Sequence, residues 1–171
     1  MNLTTPTRRL TVEFLYLDRS RCTRCQATDT VLDDALAELA GDLRAASMVA
    51  DVRKIHVKTA DQARELGFVT SPTIRLNGHD IAPDIIESAC ASCSCGCEEE
   101  GVACRAWSYQ GQQYDAPPKA LIVDAIRRMI ADPDRWAGET VPPLRDTPEN
   151  LKRFFAAQRG TPTPSTDGTC C

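Results

Sequence analysis

Apolar positions change their period several times along the chain, and each change marks an element. Residues 10–17 (LTVEFLYL) are rich in β-branched and aromatic side chains and only partly alternate. That pattern predicts a strand buried on both faces, hence central in its sheet. From Thr28 to Leu43 the positions Val31, Leu32, Ala35, Leu36, Leu39 and Leu43 recur at helical spacing, with Gly41 and Asp42 near the end. Met48 to Val57 reads as a second strand, and Thr59 to Leu66 as a short helix closed by Gly67 in a left-handed cap. Thr73–Leu76 and Asp80–Ile81 read as two short strands joined by a tight turn at Asn77-Gly78. A last helix starts near Pro117-Pro118 and carries Leu121, Ile122, Ala125, Ile126, Met129 and Ile130 on one face.

The order β-α-β-α-β-β-α calls for an α/β fold, a central mixed sheet flanked by helices. Residues 8–131 form the predicted domain, with a Cys-rich insertion at 88–106. Six of the eleven prolines lie between Pro133 and Pro164, so 132–171 reads as a Pro-rich extension whose end, 160–171, is a flexible tail. With 171 residues, 42% hydrophobic and 26% charged, the chain has the make-up of a globular domain with a real core. A net charge of −4 argues against nucleic acid as a partner. No run approaches the roughly 18 apolar residues of a membrane span. The Arg8-Arg9 pair is followed by an apolar stretch of only Phe14 to Leu17 and no small-residue cleavage site, so export is not expected. The expected location is the cytoplasm.

Nine cysteines are the chemical anomaly. In a reducing compartment they point to redox chemistry or metal binding rather than a disulfide framework. They fall into three groups. Cys22 and Cys25 (CTRC) lie between a predicted strand and a predicted helix, where unpaired backbone N–H groups favour thiolate over thiol. Arg19, Arg21 and Arg24 add positive charge. This spacing suits Cys22 as attacking thiolate and Cys25 as resolving thiol; half of a zinc knuckle is the plainer alternative. The second group is Cys90, Cys93, Cys95, Cys97 and Cys104, with Gly96 allowing a tight turn. Five thiols so close suit zinc or another thiophilic metal ion, held by Cys90, Cys93, Cys97 and Cys104 or by Cys93, Cys95, Cys97 and Cys104. A surface loop with local disulfides is the alternative. The third group, Cys170-Cys171, sits on the tail and could relay or capture an ion or a disulfide, or be a spectator. His56, His79, Trp107, Tyr109 and Tyr114 read as structural, the aromatic residues packing around the cysteine loop.

LTVEFLYL, the CTRC helix start and SPTIRLNG (71–78) together resemble the thioredoxin-like superfamily. The resemblance covers about residues 10–85 and the helix near 118–131. It implies a thioredoxin-like fold, a cis Pro72 facing Cys22, and a Ser71 backbone open to an extended substrate. Arg21 stands where thioredoxin has an aromatic residue. His79-Asp80-Ile81 replaces the Gly-Gly pair of glutaredoxins, so the resemblance does not extend to glutathione binding. SPTIRLNG, CRAWSYQG and APPKALIVDAI further resemble an uncharacterised bacterial thioredoxin-like family, which implies a setting of arsenic or mercury resistance. The terminal cysteine pair is similar to the ion-capturing pair of mercuric reductases. Two functions stay open. One is a thiol–disulfide oxidoreductase, needing no cofactor, acting on a thiol or disulfide of a protein or small molecule. The other is a sequestering or transfer protein for a soft metal or metalloid ion.

Overall fold

The computed structural model describes residues 7–90, 102–136 and 141–159. Strand β1 (Arg8–Tyr16) lies at the middle of a four-stranded mixed sheet of order β2-β1-β3-β4. It pairs in parallel with β2 (Met48–His56) and antiparallel with β3 (Thr73–Leu76), which turns back through Asn77-Gly78 into β4 (His79–Asp80). Both turn residues have positive φ, as a two-residue hairpin of this twist requires.

Successive side chains of a strand point to opposite faces, and β1 uses both. Leu10, Val12 and Phe14 enter a large core with Ile74, Leu76 and the apolar sides of α1 (Thr23–Glu38) and α4 (Lys119–Ala131). Leu15, with Leu17 just beyond the strand, enters a second core with Val57, Phe68, Ala63 of α3 (Ala60–Glu65), and Leu151, Phe154 and Phe155 of α5 (Glu149–Arg159). The sheet is thus covered on both sides, which makes β1 the central strand its composition predicts. Helix α5 falls in the Pro-rich extension, where the sequence reading placed no helix.

Two other boundaries differ from expectation. The helix predicted over 28–43 starts earlier, at Thr23, and breaks at Leu39, which caps α1 before the short α2 (Ala40–Ala45). Gly67 does take the left-handed φ of +59° expected of a cap after α3. An added Cβ there would collide with Val141 Cγ1, so glycine is also required by the segment that crosses it.

A second sheet was not read from the sequence. β5 (Ile86–Ala89), β6 (Ala103–Tyr109) and β7 (Gln112–Tyr114) form an antiparallel sheet of order β5-β6-β7. The flanks of the Cys-rich segment are therefore strands, with Ser88 opposite Cys104 and Ala89 opposite Ala103. Trp107 is fully buried in the large core beside α1 and α4, with Tyr109 and Tyr114 packed against that core. Among the described residues, the aromatic side chain packed against the cysteines is Tyr16 rather than these three.

The two sheets meet along a polar seam. Arg105 of β6 is 0% exposed. Its guanidinium donates to both carboxylate oxygens of Asp80 in β4, at 2.8 and 2.9 Å, and to the carbonyl of Ala82. It also lies 4.3 Å over the Trp107 ring. No helix among the described residues is long and apolar enough to cross a membrane.

Candidate functional site

The CTRC motif sits where the chain leaves β1 and enters α1. Cys22 is the N-cap residue, with extended backbone, and its Sγ accepts the N–H of Cys25 at 3.4 Å. A sulfur here satisfies one of the four N–H groups that every helix start leaves without an intrahelical partner. Both thiols are 1% exposed.

Around them the fold assembles residues that lie far apart in the chain. Cys22, Cys25, Cys90 and Cys104 form one buried cluster, with Tyr16 packed against it. The Sγ atoms of Cys22 and Cys104 are 3.9 Å apart, and those of Cys22, Cys90 and Cys104 all lie within 4.8 Å of one another. None of the four is in a disulfide. The sequence reading kept Cys22 with the redox pair and Cys90 and Cys104 with the metal cluster; in the folded chain these three thiols occupy one place. The β5–β6 ladder brings this about, because it carries Cys104 within the sheet and Cys90 at its edge, where the Cys90 N–H donates to Val102 O at 3.2 Å. Cys93, Cys95, Cys97, Cys170 and Cys171 lie outside the described residues.

Ser71 reaches the cluster at Cys25. The Ser71–Pro72 peptide bond is cis. Ser71 Oγ lies 3.5 Å from Cys25 Sγ and accepts the Leu17 N–H at 3.1 Å, tying this loop to the end of β1. The Ser71 carbonyl accepts the N–H of Arg105 at 2.7 Å. The group expected to stay open to an extended substrate is therefore engaged by β6 of the same chain.

Arg24 has a larger part than the diffuse positive charge the sequence suggested. It is 11% exposed at the side chain. Its guanidinium donates to Ser88 Oγ (2.8 Å), Cys104 O (3.2 Å) and Ala89 O (3.3 Å), and pairs with Asp115 at 2.7 Å. It fastens the first turn of α1 to the β5–β6 ladder. Arg19 pairs instead with Asp29 (2.7 Å) and lies over Tyr16, which also stacks with the His56 and Phe14 rings. His79 packs edge-on against Trp136.

Chemically, the cluster offers soft donors only. Three buried sulfurs this close could hold a thiophilic metal ion; their 3.9 Å edge is near the roughly 3.8 Å sulfur–sulfur separation that Zn–S bonds of about 2.3 Å give in a tetrahedron. The same contact distance suits exchange between a thiolate and a sulfur.

Fold and site define a mixed α/β protein whose two sheets close over a buried group of four thiols. Over residues 10–126 the chain matches the family described as a domain of unknown function (DUF2703), and it belongs to that family. No curated protein and no solved structure matches it.

Proposed function

We propose that the protein is a cytoplasmic thiol–disulfide oxidoreductase of thioredoxin-like type, with Cys22 as the attacking thiolate. The observation that carries this reading is the position of Cys22, at the N-cap of the helix that follows the central strand, with the cis Ser71–Pro72 loop against its partner Cys25. The Cys25 N–H and the helix start favour negative charge on sulfur, against the opposing effect of burial. Attack by Cys22 on a disulfide RS–SR′ forms the Cys22–SR mixed disulfide and releases R′S⁻. A second protein thiolate then releases RS⁻, so two electrons pass to the substrate. The test is reduction of bis(2-hydroxyethyl) disulfide by the reduced full-length protein. Cys22→Ser should lower the rate at least about a hundredfold, the scale of losing an activated nucleophile. Equal activity of the two proteins would end this reading.

A second reading, binding of a soft metal or metalloid ion, is favoured by the convergence of Cys22, Cys90 and Cys104. Such an ion would take these thiolates as ligands and would block exchange at Cys22. Zinc, arsenite or mercuric ion added to the reduced protein should protect these three thiols together from alkylation. Unchanged alkylation with all three ions would remove it.

A further inference from the structure

We infer that Cys104 is the internal partner of Cys22, and that strand β6 lies in this protein's own substrate groove as a built-in substrate strand. The inference rests on the oxidoreductase reading above and names its second thiol. Two contacts on adjacent residues carry it. Cys104 Sγ is 3.9 Å from Cys22 Sγ, and the next residue, Arg105, gives its N–H to the Ser71 carbonyl at 2.7 Å. An extended disulfide substrate recognised by strand addition would make this same pair of contacts: one backbone hydrogen bond to the loop edge, and one sulfur against the attacking cysteine.

The surroundings hold β6 in that position. The Arg105 side chain is anchored on Asp80 and Ala82 O, and Arg24 donates to the Cys104 carbonyl. The strand on which Cys104 rides is thus fixed from both of its flanking elements. Cys25, the resolving thiol expected from spacing alone, belongs to the same cluster, with its Sγ 3.5 Å from Ser71 Oγ.

The chemistry follows from these positions. After Cys22 attacks RS–SR′ and carries the SR group, the Cys104 thiolate attacks Cys22 Sγ. The S–SR bond breaks, RS⁻ leaves, and a Cys22–Cys104 disulfide forms, the protein having lost two electrons and the substrate gained them. A dithiol reductant regenerates the reduced pair. Because β6 fills the groove, small disulfides enter more readily than extended peptides, which must displace it.

The sequence permits a clean test. Trypsin cuts after Arg21, Arg24 and Arg105, and cleavage after Glu100 separates Cys104 from the 90–97 cysteines. Reduced full-length protein is treated with one equivalent of bis(2-hydroxyethyl) disulfide, quenched in acid and mapped by mass spectrometry. The expected cross-linked product joins the tripeptide 22–24 to the pentapeptide 101–105. In Cys104→Ser the hydroxyethylthio adduct on Cys22 should persist at least about tenfold longer than in the parent. A product joining 22–24 to the peptide that begins at Cys25 overturns the role of Cys104 and leaves the oxidoreductase reading standing. A Cys22 that forms neither adduct nor disulfide overturns both. The mapping uses the parent protein, so it decides the matter even if Cys104→Ser does not fold.

Discussion

In the four-stranded sheet, β1 and β3 bury Leu10, Val12, Phe14, Leu15 and Ile74 completely, whereas in the three-stranded sheet the fully buried side chains of β6 are Arg105 and Trp107. The first sheet is held by apolar area spread over many contacts, none of them decisive alone. The second shares that core through Trp107 and is further fixed by a few directed polar contacts: Arg105 on Asp80 and Ala82, its N–H on Ser71, and Arg24 of α1 on Ser88, Ala89 and Cys104. Directed contacts fix position more narrowly than apolar packing, and position is what a pair of sulfurs needs. They are also easier to remove one at a time.

The largest test of that contrast is Arg105→Ala. It strips the partner from a carboxylate that is only 21% exposed and should cost about 3 kcal/mol or more, read as a fall in thermal stability. Arg105→Lys should recover only part, since an ammonium cannot reproduce the two-pronged bond to Asp80. A parent-like melting temperature for Arg105→Ala would mean that the seam rests on apolar contacts after all.

Arg24→Ala comes next. Four hydrogen bonds are lost, the weakest at 3.4 Å to the Arg105 carbonyl, and the ion pair with the 77%-exposed Asp115 contributes little, so about 1 kcal/mol or more is expected. The sharper readout is local: Cys22 and Cys104 should alkylate faster as the first turn of α1 loosens from β5 and β6. Unchanged alkylation would separate Arg24 from the positioning of the thiols.

The smallest effect lies away from the seam, at the start of α5. Lys152 and the Thr147 N–H hold the Asp146 carboxyl below its ordinary value of 3.8. The contribution is therefore complete above that value and disappears as pH falls through the lower folded value. Asp146→Asn should lower the melting temperature slightly at neutral pH and not at all in strong acid, with alkylation at Cys22 unchanged throughout.

The first sheet was legible because its causes are local. LTVEFLYL announces a strand buried on both faces, and Asn77-Gly78 announces the turn between β3 and β4. The second sheet hides for the opposite reason: IESA and QQY are short and polar, and ACRAWSY places an arginine at a position that is fully buried only because Asp80 is there to meet it. Helix α5 did leave a signal, Leu151, Phe154 and Phe155 at helical spacing after Pro148, masked by the prolines around it. The place of the Cys22/Cys25 motif between strand and helix was legible. Its meeting with Cys90 and Cys104 was not, since no local period reports which distant strand will pack against a helix start.

Cys22 and Cys104 are 82 positions apart in the chain and 3.9 Å apart in space. A bond between them would close nearly half the polypeptide into a loop. By the chain-entropy relation that constraint removes roughly 4–5 kcal/mol of freedom from the unfolded ensemble, against about 2 kcal/mol for a loop as short as Cys22 to Cys25. Folding and oxidation are then thermodynamically linked: whatever the native fold gains from the bond, the bond gains from the native fold. Heat, by opening the chain, would also make its thiols less reducing.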